Sequence, residues 1–240
     1  PTPVGVALQD LTFTANVALI PEHLPERDAV IISNFTSEPR IGEAAVAKDF
    51  FESMGYRTYV APYKFEGDAE IKHLHDNVYV GGFGIRSEAA AYRWMEDTFG
   101  MKVIKMKETD EYLYHLDCTI FPLTREDTLV CTKAYKRAEL SVLEKHTNVH
   151  DVSVDMALSG ICNSVRLNNT VMNSSHIHEP KVNSEDYKAE LVKNRRLEDI
   201  CVEMGLEVSY FNLSEFHKGG ALLSCLVMHL NRNSYEFRLV

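Results

Sequence analysis

Three observations predict a repeated α/β architecture. Short apolar, β-branched runs come in pairs separated by polar turns, amphipathic helical stretches lie between the pairs, and the pairs recur about every 50 residues. With 240 residues, 45% of them apolar, the chain is long enough to bury a substantial core. A fixed period favours stacked or ring-closed units over two unrelated domains, so we expect one domain over 1–240.

In chain order, the first pair is Leu11 to Ile20 with Ala29 to Ser33, followed by a helix from Ile41 to Met54. The second is Ile71 to Leu74 with Val78 to Val80, and its helix runs from Ser87 to Phe99. Cys118 to Phe121 with Thr128 to Cys131 precede a helix from Lys136 to His146, and Ile161 to Leu167 with Thr170 to Asn173 precede one from Glu185 to Met204. Ala221 to Leu230 with Tyr235 to Val240 form the last pair. Gly55, Gly100 and Gly205 follow three of the helices, where a left-handed cap favours glycine, and Ser87 with Glu88 offers a helix start. The turns His75-Asp76-Asn77, Thr124 to Asp127 and Asn168-Asn169 have hairpin chemistry.

One polar residue interrupts the opening of each pair: Asn16, Asp68, Asp117, Asn163 and Cys225. If the repeats close into a ring, these five face its centre, and they form the candidate site.

Composition narrows the function. A formal net charge of −10 disfavours nucleic acid and anionic membranes as partners, since both need a basic face. No apolar run approaches the roughly 18 residues of a spanning helix, and no charged-then-apolar leader opens the sequence. A cytoplasmic location is the simplest reading. Asn-x-Ser/Thr triplets at Asn34, Asn168, Asn173 and Asn212 matter only on a secretory route. The five cysteines (Cys118, Cys131, Cys162, Cys201, Cys225) make neither a disulfide framework nor a CxxC pair, and are read as free thiols.

Several stretches carry chemistry. In Tyr112 to Cys118, His115 and Asp117 are two apart and would share one face of a strand, either as surface polar alternation or as a proton carrier beside a charged substrate group. Lys64 to Glu70 gathers Glu66, Asp68 and Glu70 around Gly67, either as a solvated turn or as carboxylates able to grip a planar guanidinium. Cys225 follows Gly219-Gly220, either as a small buried hydrophobe or as a nucleophile beside a His and a bound cation. Arg86 is a lone cation beside these acids, suited to a substrate carboxylate or to the surface. His73 with His75 and His176 with His178 each place two imidazoles on a strand face, but no third-ligand spacing supports a metal site. The glycines of Val80 to Glu88 fit no phosphate-loop pattern, and no cofactor is implied.

Taken together, LTFTANVALI, FEGDAE, YHLDC, CNSV and KGGALLSC, in that order, resemble the guanidine-modifying superfamily of arginine deiminases, dimethylarginine dimethylaminohydrolases and amidinotransferases. The resemblance covers nearly the whole chain and implies a five-bladed, pseudo-symmetric α/β-propeller of ββαβ repeats, the pentein fold. Asn16 with YHLDC and CNSV is more similar to compact arginine dihydrolases and amidinotransferase-like members than to arginine deiminases, which carry Asp at that position. FEGDAE departs from the usual Glu-Gly-x-Gly-Asp. We assign the guanidinium contact there to Asp68, with Glu70 and Glu66 as the other carboxylates.

The resemblance implies that Asp68 and Asp117 clamp a guanidinium, Cys225 attacks its central carbon, and His115 carries protons through a covalent thiouronium. It places Arg86 on the substrate's α-carboxylate and links Asn16 to a second hydrolysis, from arginine through citrulline to ornithine, carbon dioxide and ammonia. Asn163 either orients substrate or satisfies backbone groups. Gly219 and Gly220 either let the chain approach substrate closely or form an ordinary turn. The expected partner is therefore a small arginine-like guanidino compound. The rival enzyme readings are amidinotransfer to an amine and hydrolysis of methylated arginine; a non-catalytic binding propeller is the third class. The helix faces carry no dimer stripe, which leaves a homo-oligomer open.

Overall fold

Residues 7–26 and 28–230 are described by a computed structural model of the chain. They divide into two compact units, the first formed by residues 7–116 and 225–230, the second by residues 117–224.

Each unit holds two copies of one motif: an antiparallel hairpin, a helix, and a third strand that returns parallel to the second hairpin strand. In the first unit β1 (Ala18–Leu19) pairs antiparallel with β2 (Ala29–Ile32), α1 (Glu43–Ser53) crosses over, and β3 (Arg57–Val60) pairs parallel with β2. The next copy has β4 (Ile71–His75), β5 (Val78–Phe83), α2 (Ala89–Phe99) and β6 (Lys102–Lys107). The second unit repeats this order with β7 (Ile120–Pro122), β8 (Asp127–Val130), α3 (Arg137–Leu143) and β9 (Asn148–Asp151). After a short α4 (Val154–Leu158) come β10 (Val165–Leu167), β11 (Thr170–Ser174), α5 (Glu185–Glu203) and β12 (Glu207–Phe211).

The middle strands are largely buried, as runs flanked by two strands and covered by a helix tend to be: Val30 to Ile32, Val78 to Val80 and Leu129 to Val130 are all buried. Tyr79, Tyr92 and Met95 join Ile31, Phe65 and Ile71 in one cluster of the first unit, and Val30, Ile32 and Phe51 join Val17 and Ile20 in another. Burial of such apolar side chains contributes about 1.5–3 kcal/mol each, so these clusters hold the strands in place. The helix-ending glycines behave as predicted: Gly55, Gly100 and Gly205 have φ of 86°, 67° and 69°. No helix among the described residues is long and apolar enough to cross a membrane.

The main departure concerns the residues just before each hairpin. Leu11 to Asn16 is not strand but two 3₁₀ turns, Gln9–Thr12 and Thr14–Asn16, and only Ala18–Leu19 pairs. Gly67–Glu70, Leu116–Cys118 and Ser224–Leu226 are likewise single 3₁₀ turns. Asn16, Asp68, Asp117 and Cys225 therefore sit in turns rather than in strands, and Asn163 lies in a bend closed by its own N–H to the Gly160 carbonyl at 3.1 Å. A 3₁₀ turn satisfies its backbone locally through i→i+3 bonds, which frees the polar side chain from the sheet. His115 precedes such a turn, so it and Asp117 do not share a strand face. No strand spans 221–230, and Tyr235 to Val240 lie outside the described residues. His176 and His178 lie beyond the end of β11 and share no strand face.

Candidate active site

In the first unit the turn at Thr14–Asn16 is the point on which three other segments converge. Gly67, at φ 65°, brings the Glu66–Asp68 backbone so close that a Cβ there would overlap the Ala15 carbonyl oxygen and the Asn16 backbone. Only glycine meets both requirements, the left-handed conformation and the missing Cβ. Thr14 Oγ1 donates to the Leu226 carbonyl at 2.8 Å and so ties the cysteine-bearing turn to the same point. The third segment arrives through a side chain: the Asn16 amide lies 3.5 Å from His115 Nε2.

His115 is buried, and Nε2 lies 2.9 Å from Glu66 Oε2. An ionised carboxylate only accepts, so Nε2 carries the hydrogen. Nδ1 has no hydrogen-bond partner among the described residues and is the nitrogen left for chemistry. Burial pushes the Glu66 carboxyl up, but the bond from His115 and the positive fields of His115, Arg86 and Arg40 outweigh it and hold it below its ordinary value. Arg86 Nη1 lies 3.7 Å from Glu66 Oε1, and its guanidinium stacks 4.9 Å over the Tyr114 ring. Ser87, expected as a helix start, instead accepts the Glu66 N–H at 3.2 Å through its hydroxyl, and α2 begins at Ala89.

Asp68 is buried beside Lys72, whose Nζ lies 3.4 Å from Oδ2, and His229, whose Nδ1 lies 3.6 Å from the same oxygen. Glu70 is fully buried, accepts the Leu116 N–H at 3.2 Å and lies against Glu108. Burial, followed by the like charge of Glu108, holds its carboxyl well above the ordinary value. Its bond from Leu116 ties it to the backbone next to His115.

Cys225 is buried in the turn that Thr14 anchors. Cys131, Cys162 and Cys201 fit a packing role. Burial pushes Cys131 and Cys162 up, and Cys201 up to about 12, which leaves them protonated and unreactive.

The second unit holds the remaining predicted residues. Asp117 is fully buried; one oxygen accepts from the Ser224 hydroxyl, and the other lies 3.8 Å from Cys118 Sγ. Asn163 Oδ1 accepts the Ser224 N–H at 2.8 Å, so it satisfies a backbone group as one of its two readings required. Gly220 is exposed at φ 82°, and its N–H bonds to the His217 carbonyl at 2.9 Å. It lies just beyond the one-turn helix Ser214–His217.

Lys72, Glu108 and His229 were not singled out as site residues, and Glu66 was weighed only as one of three carboxylates for a guanidinium. Glu66 had a signal, its place beside Gly67 among clustered acids. Lys72 and Glu108 sit in or beside strands, where nothing local distinguishes them from surface charges. Among the described residues no group of three or more His, Cys, Asp or Glu side chains is placed to hold a metal ion.

The chain superposes on solved enzymes over most of its length. The N-terminal domain of ArgZ, described as an arginine dihydrolase from the ornithine-ammonia cycle in cyanobacteria and solved bound to product, superposes with a TM-score of 0.79 at 25% identity, over 94% of this chain and 77% of that one. A Pseudomonas aeruginosa DDAH complexed with citrulline shares the fold, with a TM-score of 0.69 at 16% identity over 92% of this chain and 76% of that one. The chain is similar to enzymes of the guanidine-modifying superfamily and shares their α/β-propeller, or pentein, fold.

Within that class, it is 26% identical over 230 residues to the bifunctional arginine dihydrolase/ornithine cyclodeaminase ArgZ of Synechocystis sp., a match covering 92% of this chain. It spans 29% of the length of that relative. A variant of the ArgZ N-terminal domain has been solved covalently bonded to a reaction intermediate, with a TM-score of 0.79 at 25% identity over 94% of this chain and 77% of that one. No family model matches the chain.

Proposed function

We propose that residues 1–240 act as one catalytic domain that hydrolyses the guanidinium group of arginine or a close guanidino compound. The observation that carries this reading is the buried Asn16–His115–Glu66 constellation in the same compact unit as Asp68 and Cys225. A histidine locked by a carboxylate through one nitrogen, with the other nitrogen open, is equipped for proton transfer.

Asp68 gives the guanidinium a carboxylate, and the positive charge makes the central carbon electrophilic. The Cys225 thiolate attacks that carbon to give a tetrahedral adduct. His115 delivers a proton from Nδ1 to the departing nitrogen, the C–N bond breaks, and ammonia or an amine leaves a planar thiouronium on Sγ. Neutral His115 then takes a proton from water as its oxygen adds to the same carbon. Collapse breaks the C–S bond and frees a ureido product and the thiolate. Arg86, partly exposed and held between Glu66 and Tyr114, is the cation this reading assigns to the α-carboxylate. Asn16 beside His115 supports a second round on the ureido product. Asp117, the other carboxylate assigned by the family resemblance, is preorganised in the second unit by Ser224.

Replacing Cys225 with Ala or Ser should abolish turnover of arginine, and mass spectrometry of the wild-type protein quenched during turnover should find an adduct on Cys225. Full activity in either variant discards the mechanism. Product analysis with and without glycine or ornithine separates the classes, because guanidinoacetate or amine-dependent turnover would establish amidinotransfer instead.

A further inference from the structure

The cationic surroundings of Asp68 bear on how substrate enters. Lys72 projects from β4 into the interior of the first unit, with its side chain 7% exposed. Its ammonium has three donors, yet its polar contact among the described residues is one Asp68 oxygen at 3.4 Å. His229 Nδ1 approaches the same oxygen at 3.6 Å. The neighbouring carboxylate Glu66 has its own cations, Arg86 at 3.7 Å and Arg40 at 3.9 Å. The carboxylate that the proposed function gives to the substrate is thus already charge-balanced before substrate arrives.

Two cations do not share one buried carboxylate at no cost, because like charges a few ångströms apart repel strongly where water is scarce. We infer that Lys72 is a resident counter-ion of Asp68 which the substrate guanidinium displaces, making Lys72 a specificity-determining residue. This rests on Asp68 being the guanidinium receptor, as proposed above. The contest has a chemical criterion. A planar guanidinium offers a carboxylate two parallel N–H donors, whereas the lysine ammonium approaches as a point charge, here at long range. A guanidinium therefore wins the exchange, and its flexible four-carbon stem lets Lys72 swing aside. A neutral ureido compound arriving from solution brings no charge to replace the one displaced, so it competes poorly, and a second round acts on the ureido product before it leaves the site. The pair selects for guanidinium over urea without any steric filter.

The test uses the Cys225→Ser protein, which removes turnover, and calorimetric titration with arginine and with citrulline. Adding Lys72→Met, which keeps most of the stem volume, should tighten arginine binding about tenfold, since it deletes a competing charge at a buried carboxylate. Citrulline affinity should change by much less, so the arginine-to-citrulline ratio rises; a merely structural role would move both ligands together. Lys72→Arg should weaken arginine binding severalfold, because a second planar fork grips Asp68 with two bonds. That variant leaves no buried carboxylate uncompensated and carries the test if Lys72→Met does not fold. Arginine affinity that is indifferent to residue 72, or an unchanged ratio, overturns this inference alone. Failure of the Cys225→Ser protein to bind arginine overturns both this inference and the functional reading beneath it.

Discussion

A carboxylate beside His115 decides which ring nitrogen works. With Glu66 Oε2 at 2.9 Å from Nε2, the ring is fixed in one tautomer and orientation, and Nδ1 is left to exchange protons. Glu66→Gln preserves the shape but removes the charge and offers an amide that can present its donor to the ring. We expect kcat to fall about a hundredfold or more, the usual contribution of a positioned acid–base group, with a much smaller change in KM. Glu66→Asp, which restores the charge on a shorter stem, should recover part of the loss. Steady-state kinetics on arginine decides, and a wild-type kcat in Glu66→Gln would remove Glu66 from the proton relay. Asn16, Asp68 and Cys225 stand out in the sequence as polar residues breaking apolar runs, and His115 by its two-residue spacing from Asp117, although the 3₁₀ turn there gives the two no shared strand face. Their partners do not stand out. Glu66 and His115 lie 49 residues apart, and nothing local in either stretch encodes their meeting.

Elements were legible where their period was long enough to register. α1, α2, α3 and α5 begin and end within a few residues of the predicted bounds, and β4 and β5 fall where alternation and the Asp76-Asn77 turn place them. The short 3₁₀ turns were not legible, because three or four residues show no periodicity and read as extensions of the strands that follow. Yet these turns aim the site. Gly67 is the sequence mark of one of them, and its role makes it testable. Any side chain at φ 65° is strained, and here it would also overlap the carbonyl of Ala15, a backbone atom that cannot swing aside. Gly67→Ala should therefore destabilise the protein by about 3 kcal/mol or more through combined strain and overpacking. In a chain of this size the corresponding fall in Tm is about 6 °C or more. Gly55, also at positive φ but with nothing within reach of a Cβ, is the control: Gly55→Ala should cost about 1–2 kcal/mol for the left-handed backbone alone. Equal melting temperatures for the two variants would show that the close approach of the turns does not matter.

At the scale of the whole molecule, buried and half-buried carboxyls shape how stability follows pH, and they act in opposite directions. Glu66 and Asp127 both have their carboxyls held below the ordinary value: burial is outweighed at Glu66 by His115 and its neighbours, and at Asp127 by hydrogen bonds from His150, Thr124 and Asn148. Their contribution is present above the unfolded value and is lost in acid, as pH falls through the lowered folded value. Glu70 has the reverse sign. Burial and the nearby Glu108 charge raise its folded value well above the ordinary 4.5, so between those two values the unfolded chain has released a proton that the folded chain still holds. Stability from this group is complete below 4.5 and drains away as pH rises toward the folded value. Glu70→Gln makes the neutral form permanent. The amide oxygen can still accept the Leu116 N–H, and the amide nitrogen can donate to Glu108. Melting curves of the two proteins should nearly coincide at about pH 5 and separate steadily toward about pH 8, with the variant a few degrees more stable at the alkaline end. Parallel curves would mean that Glu70 titrates normally in the folded protein. A variant less stable at every pH would mean that the shape of the Glu70–Glu108 contact, and not its proton, holds the backbone beside His115.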